Sequence, residues 1–143
     1  MSGTFRVTQS ALRNVGDGTR TANLKGADVV VSGNVIEATS YAGFYFYGGE
    51  SYRSTIRVKE NQIRGYVGLA LEQWFNEPMD CRLQANNVSD TEFVGIWLGA
   101  GTTGCYVIGG STKTTVVDDG AGNVLVGVNN MGSGLGPTGG GNC

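Results

Sequence analysis

The chain has no histidine and only two prolines in 143 residues, its charged side chains amount to 15%, and its three cysteines stand far apart. Each scarcity excludes something. Without histidine, the commonest general base at neutral pH and the commonest metal ligand are gone. Cys81, Cys105 and Cys143 form no CxxC pair, so neither a zinc site nor any other metal or cofactor is implied. Few prolines and few charges argue against a disordered low-complexity chain. A formal net charge of −2 gives no steering toward nucleic acid. No apolar run approaches the roughly 18 residues that a membrane-spanning segment requires. The opening MSGTFRVTQS shows no charged region followed by an apolar one, so no signal peptide is visible and the compartment stays unknown. No apolar i, i+3, i+4 stripe of about 11 residues occurs either, which leaves no substantial α-helix.

What the chain does have is glycine, 25 residues of it, and a repeat. In the stretch IRVKENQI, Asn61 is preceded by apolar residues at −5 and −3 and followed by one at +2: Ile56, Val58 and Ile63. The same setting surrounds Asn34 (Val29, Val31, Ile36), Asn86 (Cys81, Leu83, Val88) and Asn129 (Val124, Val126, Met131). It also surrounds Gly110 (Cys105, Val107, Thr112) and Ser10 (Phe5, Val7, Leu12). Of these 18 positions only Thr112 is not apolar when cysteine is counted, where about 7 apolar residues would fall at this composition. Anchor spacings of 24, 27, 25, 24 and 19 residues mean constant strands joined by loops of changing length.

A second alternating segment follows most anchors. Gly43-Phe44-Tyr45-Phe46, Gly68-Leu69-Ala70-Leu71 and Gly95-Ile96-Trp97-Leu98 align, with Ala22-Asn23-Leu24 and Thr115-Val116-Val117 as looser matches. Each turn is thus expected to hold three short strands with a tight bend at the anchor. Equivalent residues recur in the same chain direction, so the strands should stack in parallel, about 4.8 Å per turn. The fold class expected is an all-β, parallel β-helix solenoid of about six short turns over residues 1–131, with a glycine-rich tail over 132–143. At the bend, asparagine tolerates the left-handed region, and stacked amides can bond along the axis as ladders do in cross-β packing. Cys81 and Cys105 fall in one inward column on adjacent turns. They are read as two buried thiols packing as small apolar groups. The alternative is a disulfide, because adjacent parallel strands bring their Cα atoms within range. Cys143 is read as free, or as an intermolecular link.

The motifs VxxNxI at Val31–Ile36 and Val58–Ile63, and LxxNxV at Leu83–Val88, each followed by Gly-φ-x-φ, resemble the right-handed parallel β-helix repeats of the pectin-lyase-like superfamily, which includes phage tailspikes. The resemblance covers roughly residues 5–131 and implies right-handed coiling. In polysaccharide-active members the site commonly lies on the face of the Gly-φ-x-φ strands. Carried over, that face has Tyr45, Ala70, Trp97 and Val116 in one outward column and Tyr47, Glu72, Gly99 and Asp118 in the next, with loops adding Tyr41, Tyr66, Trp74, Phe75, Glu77, Asp80, Asp90, Glu92 and Phe93.

Tyr45, Tyr47, Trp97 and Trp74 are then the carbohydrate-binding candidates, since exposed rings stack on sugars. The alternative is that they pack loops onto the coil. Glu72 and Asp118, two turns apart with Gly99 open between them, are the catalytic candidates. Their Cα atoms should be about 9.6 Å apart, near the ~6.5–9.5 Å of an inverting glycosidase, or they are two solvated surface acids. A polygalacturonase-like site needs a histidine that is missing, and no calcium-binding acid cluster of the pectate lyase kind is clear. Arg6, Arg57 and Arg82 form an outward column, read as a solvated face or as a contact for an acidic polysaccharide. The function expected is a polysaccharide-binding module, with a structural or oligomerising solenoid without ligand as the first alternative and a glycoside hydrolase or lyase as the second. Implied partners are a polysaccharide, further copies of the chain, or neighbouring parts of a larger protein at the uncapped ends. No nucleic acid or membrane is implied. The resemblance suggests an extracellular or virion-surface setting.

Overall fold

The computed structural model describes residues 3–16, 18–22, 27–38, 41–48, 55–73, 80–112 and 116–130. These hold β1 (Gly3–Thr8), β2 (Ala11–Val15) and β3 (Thr19–Ala22) in a first rung, then β4 (Ala27–Ser32), β5 (Val35–Ala38) and β6 (Ala42–Gly48) in a second. The third rung is β7 (Thr55–Lys59) and β8 (Gln62–Gln73), the fourth β9 (Asp80–Gln84) and β10 (Asn87–Leu98). Next come β11 (Cys105–Ile108), β12 (Ser111–Thr112) and β13 (Val116–Asp118), and finally β14 (Val124–Val126) and β15 (Asn129–Asn130). Pairing between these strands is parallel throughout. One sheet has the order β1-β4-β7-β9-β11-β14, and the second has nine strands built round β2, β5, β8 and β10. The protein is an all-β parallel solenoid, with no helix among the described residues.

The interior follows from alternation. Val31, Val58, Leu83 and Val107 lie in one register column, and all four are buried. Ile36, Ile63, Val88 and Thr112 form a second column, and Phe44, Leu69, Ile96 and Val116 a third. Removing each such aliphatic side chain from water contributes about 1.5–3 kcal/mol, and the branched shapes suit stacked parallel strands.

Six strands stack in the first sheet, yet about three turns carry the whole set of sealed inward side chains, against the six expected. The rungs at either end lose a stacking neighbour: Phe5, Leu12 and Leu125 are only partly buried. Three separate strands per turn is also corrected. In the third and fourth rungs the second and third strands run together as the 12-residue β8 and β10, with register shifts between Asn87 and Asp90 and between Thr91 and Val94.

The bend differs from expectation in an instructive way. The left-handed residue is the one before the anchor, Gln9 (φ 48°), Gly33 (67°), Glu60 (57°), Ala85 (53°), Gly109 (60°) and Gly127 (65°), and only at Gly110 (81°) is the anchor itself left-handed as well. That frees the asparagines for the ladder alone. Asn34, Asn61 and Asn86 are buried; the amides of Asn34 and Asn61 bond to the rungs on both sides, and that of Asn86 to the rung behind it. Asn61 Oδ1 accepts from the main-chain N and from Nδ2 of Asn34, both at 3.0 Å, while Asn61 Nδ2 donates to Val31 O and to Asn86 Oδ1 at 2.9 Å each. The file ends at Gly110, where a Cβ would lie 2.3 Å from Asn86 O.

The column of left-handed residues also corrects the last rung. Its anchor is Val128, which follows Gly127 and is 2% exposed, not Asn129. Leu125 pairs with Val107 and packs on the core, whereas Val124 and Val126 face outward, and Met131 lies outside the described residues. In the first rung the third strand is Thr19–Ala22, aligned by Gly18, rather than Ala22-Asn23-Leu24. Cys81 and Cys105 are joined by a disulfide, their Cα atoms 4.5 Å apart, so the reading as separate thiols is corrected. Adjacent in-register positions place the two cysteines within bridging reach. Cys143 and the tail lie outside the described residues.

Candidate functional site

The glycine opening each Gly-φ-x-φ segment sits where the chain crosses an inward side chain of the neighbouring rung. A Cβ on Gly43 would lie 2.1 Å from Ile63 Cγ2, and one on Gly68 would lie 2.4 Å from Gly95 O and 2.8 Å from Val88 Cγ1. Only glycine allows this close approach. Past the corner, Phe44, Leu69 and Ile96 enter the interior, while Tyr45, Ala70 and Trp97 share a column on the other side of the strands. Ala42, Val67, Ala70 and Val94 form a second apolar cluster, separate from the interior, and Tyr41, Tyr45, Trp97 and Val117 pack over it.

The cover is largely aromatic. Tyr41 and Tyr45 meet edge to face at 5.7 Å, and Tyr45 and Tyr47 lie nearly parallel at 6.4 Å. Tyr66 and Phe93 stack at 5.1 Å with planes 8° apart, and are 46% and 60% exposed. A cavity of about 220 Å³ opens among Tyr41, Val67, Phe93, Val94, Trp97, Val117 and Asp119. Two carboxylates are positioned by aromatic donors. Tyr45 Oη donates to Glu72 Oε2 at 2.8 Å, and Trp97 Nε1 donates to Asp119 Oδ2 at 3.1 Å.

Four of the candidates named from the sequence, Tyr45, Tyr47, Trp97 and Glu72, are therefore brought together. Trp74, Phe75 and Glu77 lie outside the described residues. Asp118 is not where it was expected, because β13 sits one residue out of the anticipated register. Val116 pairs with Ile96 and is buried, Val117 takes the place beside Trp97, and Asp118 pairs with Leu98 in an inward column. There it accepts from Asn123 Nδ2 at 2.9 Å and Gly120 N at 3.1 Å, while Asn123 Oδ1 takes the main-chain N of Cys105. Asp118 and Asn123 together cap the end of the cylinder with polar groups. The acid on the Glu72 side is Asp119, which continues past Gly99 through the bonds Asp119 N to Leu98 O and Gly99 N to Leu71 O. Nor is the space at Gly99 open: a Cβ there would lie 2.8 Å from Glu72 Cγ, so the Glu72 side chain leans across it.

The sequence reading underrated Tyr66 and Phe93 as loop residues and missed the floor. The signal was present: Tyr41-Ala42-Gly43, Tyr66-Val67-Gly68 and Phe93-Val94-Gly95 repeat aromatic, aliphatic, glycine in three successive rungs. Asp80 and Asp90, expected in the same loops, serve elsewhere. Asp80 binds Arg57 at 2.7 Å and Asp90 binds Arg64 at 2.5 Å. The arginine column is interrupted by Val30, and Arg82 lies 5.6 Å over the Tyr106 ring. Among the described residues no group of three or more Cys, Asp or Glu converges as a metal site would require. No family model, curated protein or solved structure matches the chain.

Proposed function

We propose that the outer face of the second sheet binds a polysaccharide. The observation that carries this reading is the 220 Å³ opening floored by Val67 and Val94 and walled by Tyr41, Phe93 and Trp97. Rings with one face open and polar groups fixed at the rim suit a pyranose, which has an apolar face and a hydroxyl edge. Glu72 and Asp119, held by Tyr45 and Trp97, act as oriented acceptors for those hydroxyls. The module would stand with the right-handed pectin-lyase-like and tailspike-like coils, at a cell or virion surface, and its disulfide suits an oxidising compartment. Glycan-array screening followed by affinity electrophoresis tests the reading. Trp97→Ala and Phe93→Ala should each abolish retention on the bound glycan, and retention unchanged in the double variant would remove its basis.

A second reading, a structural or oligomerising solenoid, draws on the far end. Val124 and Val126 are 37% and 52% exposed on β14, whose one pairing partner among the described strands is β11. Sedimentation showing a compact trimer that binds no glycan at millimolar concentration would favour it. Hydrolase or lyase chemistry would use Glu72 with Asp119 in place of Asp118, since Asp118 lies off the Glu72 column and Asp119 takes its position.

A further inference from the structure

Away from the aromatic face three acids are matched to an arginine, Glu37 with Arg13, Asp80 with Arg57 and Asp90 with Arg64, while Asp28 and Glu60 form no ion pair among the described residues. On the aromatic face Glu72 and Asp119 take hydrogen bonds from Tyr45 and Trp97 but form no ion pair among the described residues. Glu92, exposed beside Phe93, has none there either. A carboxylate offers about four acceptor sites, so one indole or phenol donor leaves most of the capacity of Asp119 and Glu72 unspent. Among the described residues, Arg64 is held by Asp90. Asp119 borders the cavity itself.

Resting on the glycan-binding reading, we infer that the sugar seated between Trp97 and Phe93 carries a protonated amine, so that the ligand is an amino-sugar polysaccharide rather than a uronate. The ammonium supplies a positive charge that no described arginine or lysine brings to Asp119 at the cavity. It donates to Asp119 at the cavity rim while the ring face lies on Trp97. Charge-assisted bonds of this kind are roughly twice as strong as neutral ones, and an indole face adds attraction for a cation. A uronate in the same place would set its carboxylate against Asp119 and Glu72.

The test is a glycan array of matched sets that differ only in free amine, N-acetylated amine or hydroxyl at one carbon, with uronates included, read at pH 6 and low ionic strength. The free-amine member should bind about tenfold more tightly than its hydroxyl partner. That preference should vanish in Asp119→Asn, while Asp28→Asn combined with Glu60→Gln, which removes two acids from other surfaces, should retain it. Equal binding within each set, tighter binding of uronates, or a preference lost in the Asp28/Glu60 variant would overturn the inference and leave the glycan-binding reading standing. No binding of any glycan at millimolar concentration would overturn both.

Discussion

Leu98 and Trp97 are neighbours in one strand and belong to different apolar clusters. Leu98 is fully buried in a column that ends on Asp118, and Trp97 lies half-buried over Ala70 and beside Val117. The inner cluster is sealed because aliphatic side chains of similar size stack rung upon rung. The outer cluster has the same rung spacing but an uneven column, Tyr45, Ala70, Trp97, Val117, so its large rings have a small residue between them. Equal stacking excludes solvent and unequal stacking leaves a cavity. One repeat can thus build a core on one side of its strands and a binding face on the other.

The two sides should respond differently to change. The largest effect belongs to the ladder that fixes the inner rungs in register. Asn61→Ala strips partners from the buried Asn34 and Asn86 amides and from Val31 O, and should cost on the order of 4 kcal/mol in urea unfolding. Reducing the disulfide, which closes a loop of 24 residues inside the core, should lower stability by about 3 kcal/mol. The shift in urea midpoint with and without reductant checks it, and glycan binding below the midpoint should be unchanged. The direct comparison is Leu98→Ala against Trp97→Ala. The first should cost about 3 kcal/mol with binding intact, and the second about 1 kcal/mol with binding lost. Similar stability losses in both would erase the distinction drawn between the clusters. The smallest effect is a gain. Ala85 holds φ 53°, so Ala85→Gly should raise stability by about 1 kcal/mol.

The inner side was legible in the sequence because it obeys a period-two rule with few exceptions, and Val31, Val58, Leu83 and Val107 stack as their spacing requires. Legibility failed where the rule bends. At the far end Leu125 replaces two equally apolar neighbours, and nothing in Val124-Leu125-Val126 itself decides which residue turns inward. Gly127 decides it, since the left-handed turn must precede the anchor. The same ambiguity in Val116-Val117 moved Asp118 out of the candidate site and Asp119 into it. The disulfide was placed correctly in space but not in oxidation state, because proximity of two cysteines is a property of register and bonding is not. The aromatic face was half legible. Tyr45 and Trp97 stand out as large residues at outward positions, while Val67 and Val94 read as ordinary apolar residues until the corner glycines turn them away from the interior.

The asparagine file has a direction. Asn34 and Asn61 each hand one amide proton back to a carbonyl of the rung behind and one forward to the next asparagine, and Asn86 hands one back to Val58 O. An additional copy of residues 62–86 spliced in after Asn86 would meet every one of those obligations with identical groups. Length is therefore a free variable on the asparagine side, and Gly110, which has no side-chain amide to pass along, ends the file one rung before the last described strands.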